Sequence, residues 1–518
     1  MSRGTALKIF TLGIFLSLIL VRFLRINADP PLSFPNGWRA YEPFTDESAK
    51  AYQARNFTLF GQWNLTPQDQ YRFWKVLSPV WCYPLWGWFE IFKVSYASLR
   101  AFSWFWFCLG LLFIYFAGAG SSQKKSGLFA GLFYAFNFHL FIYSRLGLME
   151  TMLNSFLLLS FCLLVLSGKR KWLYPLSLLA FISAYFIKQN ALLFAPVFLA
   201  GYFLTFGSPL KKKFWRSPAN FISLAILAVF AGLLLYLWAQ PLYRLYTVMN
   251  FRHGYGFPPD RSRRWLVIRP DFIRDSFSYH LSPLGWWQTF FAFDPMVGLL
   301  AVLEIILIIF LVVRRQKPEN LEILAWVWLI SIRVFLSVSS ARVERFWMPQ
   351  IPAMILLASA GFSRLENFLA KRIPRSGQIF FIALILAFSL GFNFCWWLKW
   401  FAHPRYEIID QGKKLEQALG DQPAVVIGKW AGPLLLPGRR QYYYVKNIFN
   451  RSPEQLQSFG ITHLLLGEVP QLVRDPSELE NDPYLISYQS AFPGRFARKK
   501  LIASFKFYDG ELLLYRLE

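Results

Sequence analysis

The feature that most constrains the fold of this chain is a series of long apolar blocks with almost no charge. Residues 221–238 and 297–313, for example, run for about 17–18 residues with at most a single charged side chain between them. A helix of about 20 residues crosses the ~30 Å hydrocarbon core of a bilayer. Backbone polar groups in lipid must be satisfied within the protein. These blocks therefore predict membrane-spanning helices.

The overall charge supports a membrane protein rather than a nucleic-acid-binding one. Of the 518 residues, 55% are hydrophobic and only 16% are charged, against about 25% charged in ordinary soluble domains. The net charge of +26 has two membrane explanations: Lys and Arg in cytoplasmic loops, and Arg that bind lipid phosphate. The chain has no basic low-complexity tail, and we expect no nucleic-acid partner.

The apolar blocks predict an α-helical polytopic membrane protein with about eleven spans. The segment 71–95 is the difficult one, because its uncharged part is short, contains two prolines and is rich in Trp, which favours an interfacial helix. The first block lacks a small-residue cleavage site and is read as an uncleaved span. The predicted spans are 7–24, 99–117, 126–144, 148–167, 172–188, 190–206, 219–238, 294–313, 321–338, 345–361 and 378–399.

Loop charges predict the orientation. If 71–95 does not cross and the N-terminus is cytoplasmic, every short basic loop falls on the cytoplasmic side, as the positive-inside rule requires. The first loop (25–98), the loop 239–293 and the chain beyond 400 then lie outside. We expect a membrane domain over 1–399 and an extracytoplasmic domain over 400–518.

The C-terminal region changes character and predicts a small α/β domain. Residues 406–419 have a helical pattern, whereas 424–428 and 462–466 are short buried strands by composition. Residues 506–514 predict a β-hairpin with an Asp-Gly turn.

Two adjacent carboxylates, Asp46 and Glu47, stand out in the first outer loop. Pro43 and Thr45 indicate a helix start, which would place both carboxylates in the first turn, where the helix dipole keeps them ionised. An ionised Asp can act as a general base. Ordinary N-terminal capping explains the same residues.

The stretch around these carboxylates resembles a known family. Asp46-Glu47, followed by Tyr52, Ala54-Arg55-Asn56 and Gly61-x-Trp63, is similar to the first periplasmic loop of GT-C glycosyltransferases. The similarity is greatest to the branch of bacterial protein O-mannosyltransferases and lipid A aminoarabinose transferases, which is family 39-like. Further motifs follow in the family's order over nearly the whole chain, at 99–103, 143–150, 187–190 and 345–352. The loop-charge topology places the last three on the same side as Asp46 without using any motif.

The resemblance implies a GT-C fold and an inverting transfer of a sugar from a polyprenyl-phosphate donor to a hydroxyl acceptor on a lipid, glycan or protein. It implies an outward-facing site in a bacterial cytoplasmic membrane. Asp46 would be the catalytic base, assisted by Glu47. Cations would neutralise the departing phosphate, and others would line the site. The donor-phosphate candidates are Lys188, Arg345, Arg252 and Arg264, and the site-lining candidates are Tyr52, Arg55, Arg145 and Glu150.

Cofactors and rival functions stay open. The cysteines and histidines show no metal-ligand spacing, although Asp46 with Glu150 and a histidine could hold a divalent metal of the kind some GT-C enzymes use. A transporter or flippase of lipid-linked saccharides is a second hypothesis, but such proteins place charges near the mid-membrane, often in repeats. A ligase or polymerase of lipid-linked glycans, or an inactive relative, is a third.

Overall fold

A computed structural model describes residues 19–31, 41–66, 74–120, 125–207, 217–240, 293–338, 347–443, 459–468 and 497–517, with isolated residues between them. For 41–45 and 335–338 it describes the backbone alone. The membrane part consists of helices α1 (Tyr41–Phe60), α2 (Trp74–Leu77), α3 (Pro79–Phe92), α4 (Tyr96–Ala119), α5 (Ser126–Phe136), α6 (Phe138–Tyr143), α7 (Met149–Ser167), α8 (Leu173–Ile187), a 3-10 helix (Gln189–Phe194), α9 (Ala195–Phe206), α10 (Pro218–Ala239), α11 (Pro295–Val313), α12 (Asn320–Val338), α13 (Gln350–Ala370) and α14 (Arg375–Ala402).

The apolar blocks form helices, as the sequence predicts. Within the described residues, six helical segments are long and apolar enough to cross a membrane, and two shorter apolar helices, α5 and α8, accompany them. The count of eleven spans stays a prediction. Most of the predicted spans that lie in the described residues begin and end within a few residues of a helix, because the alternation of apolar blocks and polar connections sets both limits.

Pairs of side chains fix the direction of the helices and define two ends of the bundle. Lys188, after α8, pairs with Glu150 in the first turn of α7, whereas Lys125, before α5, pairs with Glu366 near the end of α13. We call the end at Lys125 the basic end, because the described parts of the predicted inner loops lie there, at 125, 169–171, 314–317 and 371–375. The opposite end is the domain end, since it contacts the C-terminal domain.

The segment predicted to lie in the interface does lie across the domain end. The carbonyl of Leu77, just before α3, accepts a hydrogen bond from Gln189 Nε2 at 2.9 Å. Near the end of α3, Trp88 Nε1 donates to the carbonyl of Ser98, in the first turn of α4, at 2.9 Å. The two ends of α3 therefore contact the same end of the bundle. With 14 residues, α3 is about 21 Å long, which is too short to cross the bilayer.

The predicted span 126–144 is interrupted at Asn137, which ends α5 and caps α6 by accepting from Leu140 N at 3.0 Å. The freed amide of Phe138 donates to Asn393 Oδ1 at 2.7 Å, and Asn393 Nδ2 donates to Asp294 Oδ2 at 2.6 Å. Buried polar partners thus replace the lost helical hydrogen bond, which is the condition for breaking a helix at membrane depth.

The C-terminal part forms a mixed sheet flanked by helices. Helix α15 (Glu407–Leu419) precedes strand β1 (Val425–Ile427), helix α16 (Ala431–Leu435), and strands β2 (Gln441–Tyr443), β3 (His463–Glu468), β4 (Lys500–Phe507) and β5 (Gly510–Arg516). The order is β2-β1-β3-β5-β4, with β2, β1 and β3 parallel and the β4–β5 hairpin antiparallel. The predicted helix, both predicted strands and the hairpin are present; β2 was not predicted.

Candidate active site

Helix α1 carries the two predicted catalytic carboxylates. It begins at Tyr41, so Asp46 and Glu47 are its sixth and seventh residues and lie in the second turn. The prediction that both carboxylates lie in the first turn was wrong, because Pro43 lies inside that turn and not before it. The strong helix-dipole effect expected for the first turn is therefore lost. Neighbouring helical residues point about 100° apart. Glu47 accordingly faces the bundle and is fully buried, while Asp46 is half-buried.

Glu47 is held in a bidentate ion pair. Its two oxygens accept from Arg100 Nε at 2.9 Å and Nη2 at 2.8 Å, and Oε1 also accepts from Gly147 N at 2.7 Å. Arg100 is itself buried in the first turns of α4 and donates through Nη1 to two backbone carbonyls. A bidentate guanidinium–carboxylate pair of this kind fixes geometry as well as charge. Glu47 therefore joins α1 to α4 and to the loop before α7.

The loop 144–148 brings a second carboxylate to the same end. A Cβ on Gly147 would lie 2.1 Å from Leu99 Cγ, so only glycine allows the loop to approach α4 this closely. Three residues later, Glu150 lies in the first turn of α7 with its side chain buried. Lys188 Nζ donates to Glu150 Oε1. Two residues that the sequence singled out separately, Glu150 and Lys188, thus form one ion pair at the domain end.

Arg145 donates hydrogen bonds to backbone carbonyls and forms no ion pair with a carboxylate of the described residues. It is buried, and its guanidinium donates to the carbonyls of Leu24, at 2.6 Å, and Arg25. The same group lies 4.2 Å from the ring centre of Trp400 on α14. Arg145 thereby ties the loop before Glu150 to the chain that follows the first apolar block.

Tyr52 and Arg55, predicted to line the site, lie farther along α1 against the C-terminal domain. Arg55 is fully buried. Its Nη2 donates at 2.6–3.1 Å, and its Nε at 2.8 Å, to four carbonyls of the segment 435–440. Tyr442 lies 4.6 Å from its guanidinium and 5.5 Å from the Tyr52 ring. Arg55 is nine residues, or about 13.5 Å along the axis, from Asp46, and it holds the C-terminal domain on α1.

The remaining phosphate-binding candidates, Arg252, Arg264 and Arg345, lie outside the described residues. Among the described residues no group of three or more His, Cys, Asp or Glu is close enough to hold a metal ion. The ligand set suggested from the sequence, Asp46 with Glu150 and a histidine, is therefore not formed with a described histidine. His253 and His280 lie outside the described residues, and a divalent metal stays a prediction.

Two further residues belong to this region: Arg100, which the sequence indicates only as part of the motif at 99–103, and Asp29, which was not predicted. A charged residue inside the start of an apolar helix is a usable signal for Arg100. Asp29 carries no such signal, since it precedes two prolines in an ordinary-looking loop. It is buried, and its Oδ2 accepts from Tyr508 Oη at 2.7 Å. Burial raises the pKa of Asp29 to about 6, although the Tyr508 hydrogen bond and the Arg100 charge act to lower it.

Comparison with known proteins shows which fold this is. No protein-family model and no curated protein sequence matches the chain. Solved structures do. ArnT from Cupriavidus metallidurans in the apo state aligns over 99% of this chain and 98% of its own, with 13% identity and a TM-score of 0.60. The same protein bound to undecaprenyl phosphate gives 12% identity and a TM-score of 0.56. The chain has the GT-C fold.

An archaeal structure supports the same fold. The apo oligosaccharyltransferase from Archaeoglobus fulgidus, also of the GT-C superfamily, aligns over 92% of this chain and 71% of its own, with 12% identity and a TM-score of 0.53. The resemblance drawn from the sequence motifs is confirmed at the level of the fold. Because the ArnT alignment covers nearly the full length of both chains, this GT-C likeness extends from the membrane helices to the C-terminal sheet.

Proposed function

We propose that the chain is an inverting glycosyltransferase that moves a sugar from a polyprenyl-phosphate donor to a hydroxyl acceptor. The observation that supports the proposal is that Asp46 and Glu47 on α1 lie at the same end of a GT-C fold as the Glu150–Lys188 pair, with Glu47 bonded to Gly147, three residues before Glu150. A structure of ArnT contains bound undecaprenyl phosphate, which supports a polyprenyl-phosphate lipid as the donor carrier.

The roles follow from the chemistry of the transfer. Asp46 accepts the proton of the acceptor hydroxyl as its oxygen attacks the anomeric carbon. The bond from that carbon to the phosphate oxygen breaks, and polyprenyl phosphate leaves with the bonding electrons. Lys188 and, from the sequence, Arg252, Arg264 and Arg345 stabilise the charge that develops on the phosphate. Because Arg100 and Gly147 engage both oxygens of Glu47, we propose that Glu47 assists by positioning α1.

We propose that the domain end faces outward from a bacterial inner membrane, with the N-terminus cytoplasmic. The described basic loops gather at the opposite end, and short basic loops favour the cytoplasm. Reporter enzymes fused after residues 60, 169 and 420 test this orientation. We expect outside, inside and outside; the reverse pattern would overturn it.

The catalytic assignment is tested with Asp46→Asn in purified protein supplied with a panel of polyprenyl-phosphate sugars. Loss of a general base lowers the rate by about 10²- to 10⁴-fold, so we expect transfer to fall by that factor with an unchanged unfolding midpoint. Asp421→Asn, an exposed aspartate of the C-terminal domain, is the matched control and should be fully active. Full activity of Asp46→Asn would sink the assignment.

The donor class is tested separately. Lipids from a deletion strain, analysed by mass spectrometry, should contain accumulated polyprenyl-phosphate sugar. In liposomes, the transferase must release polyprenyl phosphate. Movement of the intact lipid-linked saccharide without such release would favour the transporter hypothesis instead.

A further inference from the structure

Residues 24–29, which we call the clamped turn, have an unusual hydrogen-bonding pattern. Arg145 donates to the first two carbonyls of this segment, Arg100 to the third and fifth, and Trp400 Nε1 to the sixth. Side chains from the loop 144–148, from α4 and from α14 therefore hold a segment that has no regular secondary structure of its own. Its position depends on all three.

The clamped turn is also bound to the C-terminal domain, through its last residue. Asp29 Oδ2 accepts from Tyr508 Oη at 2.7 Å and from the amide of Ile408, in the first turn of α15, at 3.3 Å. The amide of Asp29 donates to the carbonyl of Arg405 at 2.8 Å. Asp29 and Tyr508 are 1% and 8% exposed, so water does not compete for this hydrogen bond.

Tyr508 has a backbone conformation that points to a specific use of its side chain. It forms the turn of the β4–β5 hairpin with φ of 55°, in the left-handed region that bulky residues rarely adopt and that suits glycine or asparagine. Strain of this kind persists where surrounding contacts impose it. Here those contacts are the edge-on packing of Phe507, with ring centres 4.8 Å apart, and the hydrogen bond to Asp29.

The contacts continue from the clamped turn to the catalytic helix. Arg100 donates with Nη1 to the clamped turn and with Nε and Nη2 to Glu47. Glu47 is the immediate neighbour of Asp46 on α1. A series of hydrogen bonds, joined through the backbone of the clamped turn, therefore runs from the tip of the C-terminal hairpin to the residue beside the proposed base.

We propose that Asp29 and Tyr508 are positioning residues, which couple the seating of the C-terminal domain to the placement of α1 through the clamped turn, Arg100 and Glu47. This positioning role rests on the proposed catalytic role of Asp46. The mechanical part, that the hairpin tip restrains α1, does not depend on that role.

Hydrogen–deuterium exchange of the full-length protein in lipid nanodiscs tests the mechanical part. Tyr508→Phe removes the hydroxyl and keeps the ring, and Asp29→Asn removes the charge and keeps the shape. Loss of one hydrogen bond to a buried carboxylate corresponds to about ten-fold, so we expect exchange to quicken by about ten-fold in residues 24–29 and 41–60. Tyr515→Phe, which removes a hydroxyl from β5 of the same hairpin, is the matched control and should change exchange only within β4 and β5.

The double variant identifies the pathway. If both residues act through their shared hydrogen bond, Tyr508→Phe combined with Asp29→Asn should quicken exchange no more than the larger of the two single effects. Quickened exchange confined to 500–516 in Tyr508→Phe, or the same effect on α1 from Tyr515→Phe, would overturn the coupling.

Transfer kinetics test the positioning part. Misplacement of α1 should lower kcat by about ten-fold with little change in KM for the donor, whereas damage to donor binding would raise KM. Unchanged kcat in both Tyr508→Phe and Asp29→Asn would overturn the positioning role. If the wild-type protein transfers no sugar from any donor, the proposed function fails, and the exchange experiment still decides the coupling.

Discussion

The buried charged side chains at the two ends of the helix bundle have different kinds of partners. At the domain end, Arg100 shares its donors between Glu47 and two backbone carbonyls, and Arg145 bonds to carbonyls and aromatic rings. At the basic end, the two carboxylates of Glu304 and Glu322, each 1% exposed, share the single guanidinium of Arg364. Among the described residues, guanidinium groups at the domain end therefore bond largely to carbonyls, whereas at the basic end two carboxylates share one guanidinium.

This difference bears on function. A guanidinium that is satisfied by carbonyl oxygens keeps its full positive charge, because no carboxylate cancels it. Within the described chain no carboxylate lies in ion-pair distance of Arg145, so no ion pair neutralises its charge. A positive charge of this kind fits the lipid phosphate that we propose departs at this end. The carboxylate-rich cluster of the basic end instead joins α11, α12 and α13.

The largest effect is expected from removing the cation at the domain end. Arg100→Met leaves the fully buried Glu47 carboxylate without its partner, which typically costs about 3–5 kcal/mol. Denaturation with SDS in mixed micelles measures the loss. Lys125→Met is the control from the basic end. Its side chain is 64% exposed and pairs with Glu366 near the protein surface, so water screens this pair and the cost should be clearly smaller. An equal or larger cost for Lys125→Met would contradict the comparison.

Removing one buried carboxylate from each end should have different effects on the free energy of unfolding. Glu47→Gln deprives Arg100 of a bidentate partner, and we expect a loss of about 2 kcal/mol. Glu304→Gln removes a surplus carboxylate and leaves Arg364 with Glu322, so it should be neutral or stabilising. The same micelle denaturation measures both variants. Destabilisation by Glu304→Gln similar to that by Glu47→Gln would show that the basic end holds no surplus carboxylate.

The dependence of the domain end on the C-terminal domain is tested with Arg55→Met. The change removes the donors to four carbonyls of 435–440, and we expect domain docking to weaken by about 2 kcal/mol. Limited proteolysis should then cleave after α14 several-fold faster. Arg440→Met is the control, because that side chain pairs with Glu416 inside the C-terminal domain. Equal protection in Arg55→Met and wild type would contradict the anchoring role.

The limits of the membrane helices were predictable from the sequence, whereas features that depend on residues far apart in the chain were not. Helices such as α10 and α11 lie within a residue or two of their apolar blocks, since hydrocarbon tolerates no other backbone. The break at Asn137 was not predictable, because the groups that satisfy it, Asn393 and Asp294, are far away in the chain.

The candidate site shows the same difference between what local sequence patterns predict and what contacts between distant residues determine. Loop charges placed Asp46, Glu150 and Lys188 on one side of the membrane, and the structure brings the last two into an ion pair. The contacts of Arg55, a site-lining candidate, were not predictable, because a position on a helix does not say which neighbour that face meets, and here the neighbour is the C-terminal domain. The pairing of Glu47 with Arg100 joins residues 53 positions apart, which no local pattern reveals.

The smallest effects are expected from variants of two buried groups outside the membrane spans, which respond to acidification in opposite directions. Burial lowers the pKa of His463 to about 4, with Arg516 and Arg440 adding to the shift. His463 therefore contributes stability that is complete above pH 6.5, its ordinary pKa, and is lost as the pH falls through about 4. Burial raises the pKa of Asp29 from 3.8 to about 6, so its contribution is complete below 3.8 and is lost as the pH rises through 6.

Single variants should separate the two responses between pH 7 and pH 5. The unfolding midpoint of each variant is compared with that of wild type at the same pH. His463→Gln removes a response that destabilises at low pH, so this variant should gain stability relative to wild type on acidification. Asp29→Asn removes the opposite response, so it should lose stability relative to wild type. The two variants then diverge as the pH falls, and parallel curves would mean that neither group titrates in this window. Since Asp29 joins the clamped turn to the hairpin whereas His463 lies within the sheet, the divergence also separates the domain end from the C-terminal domain that seats on it.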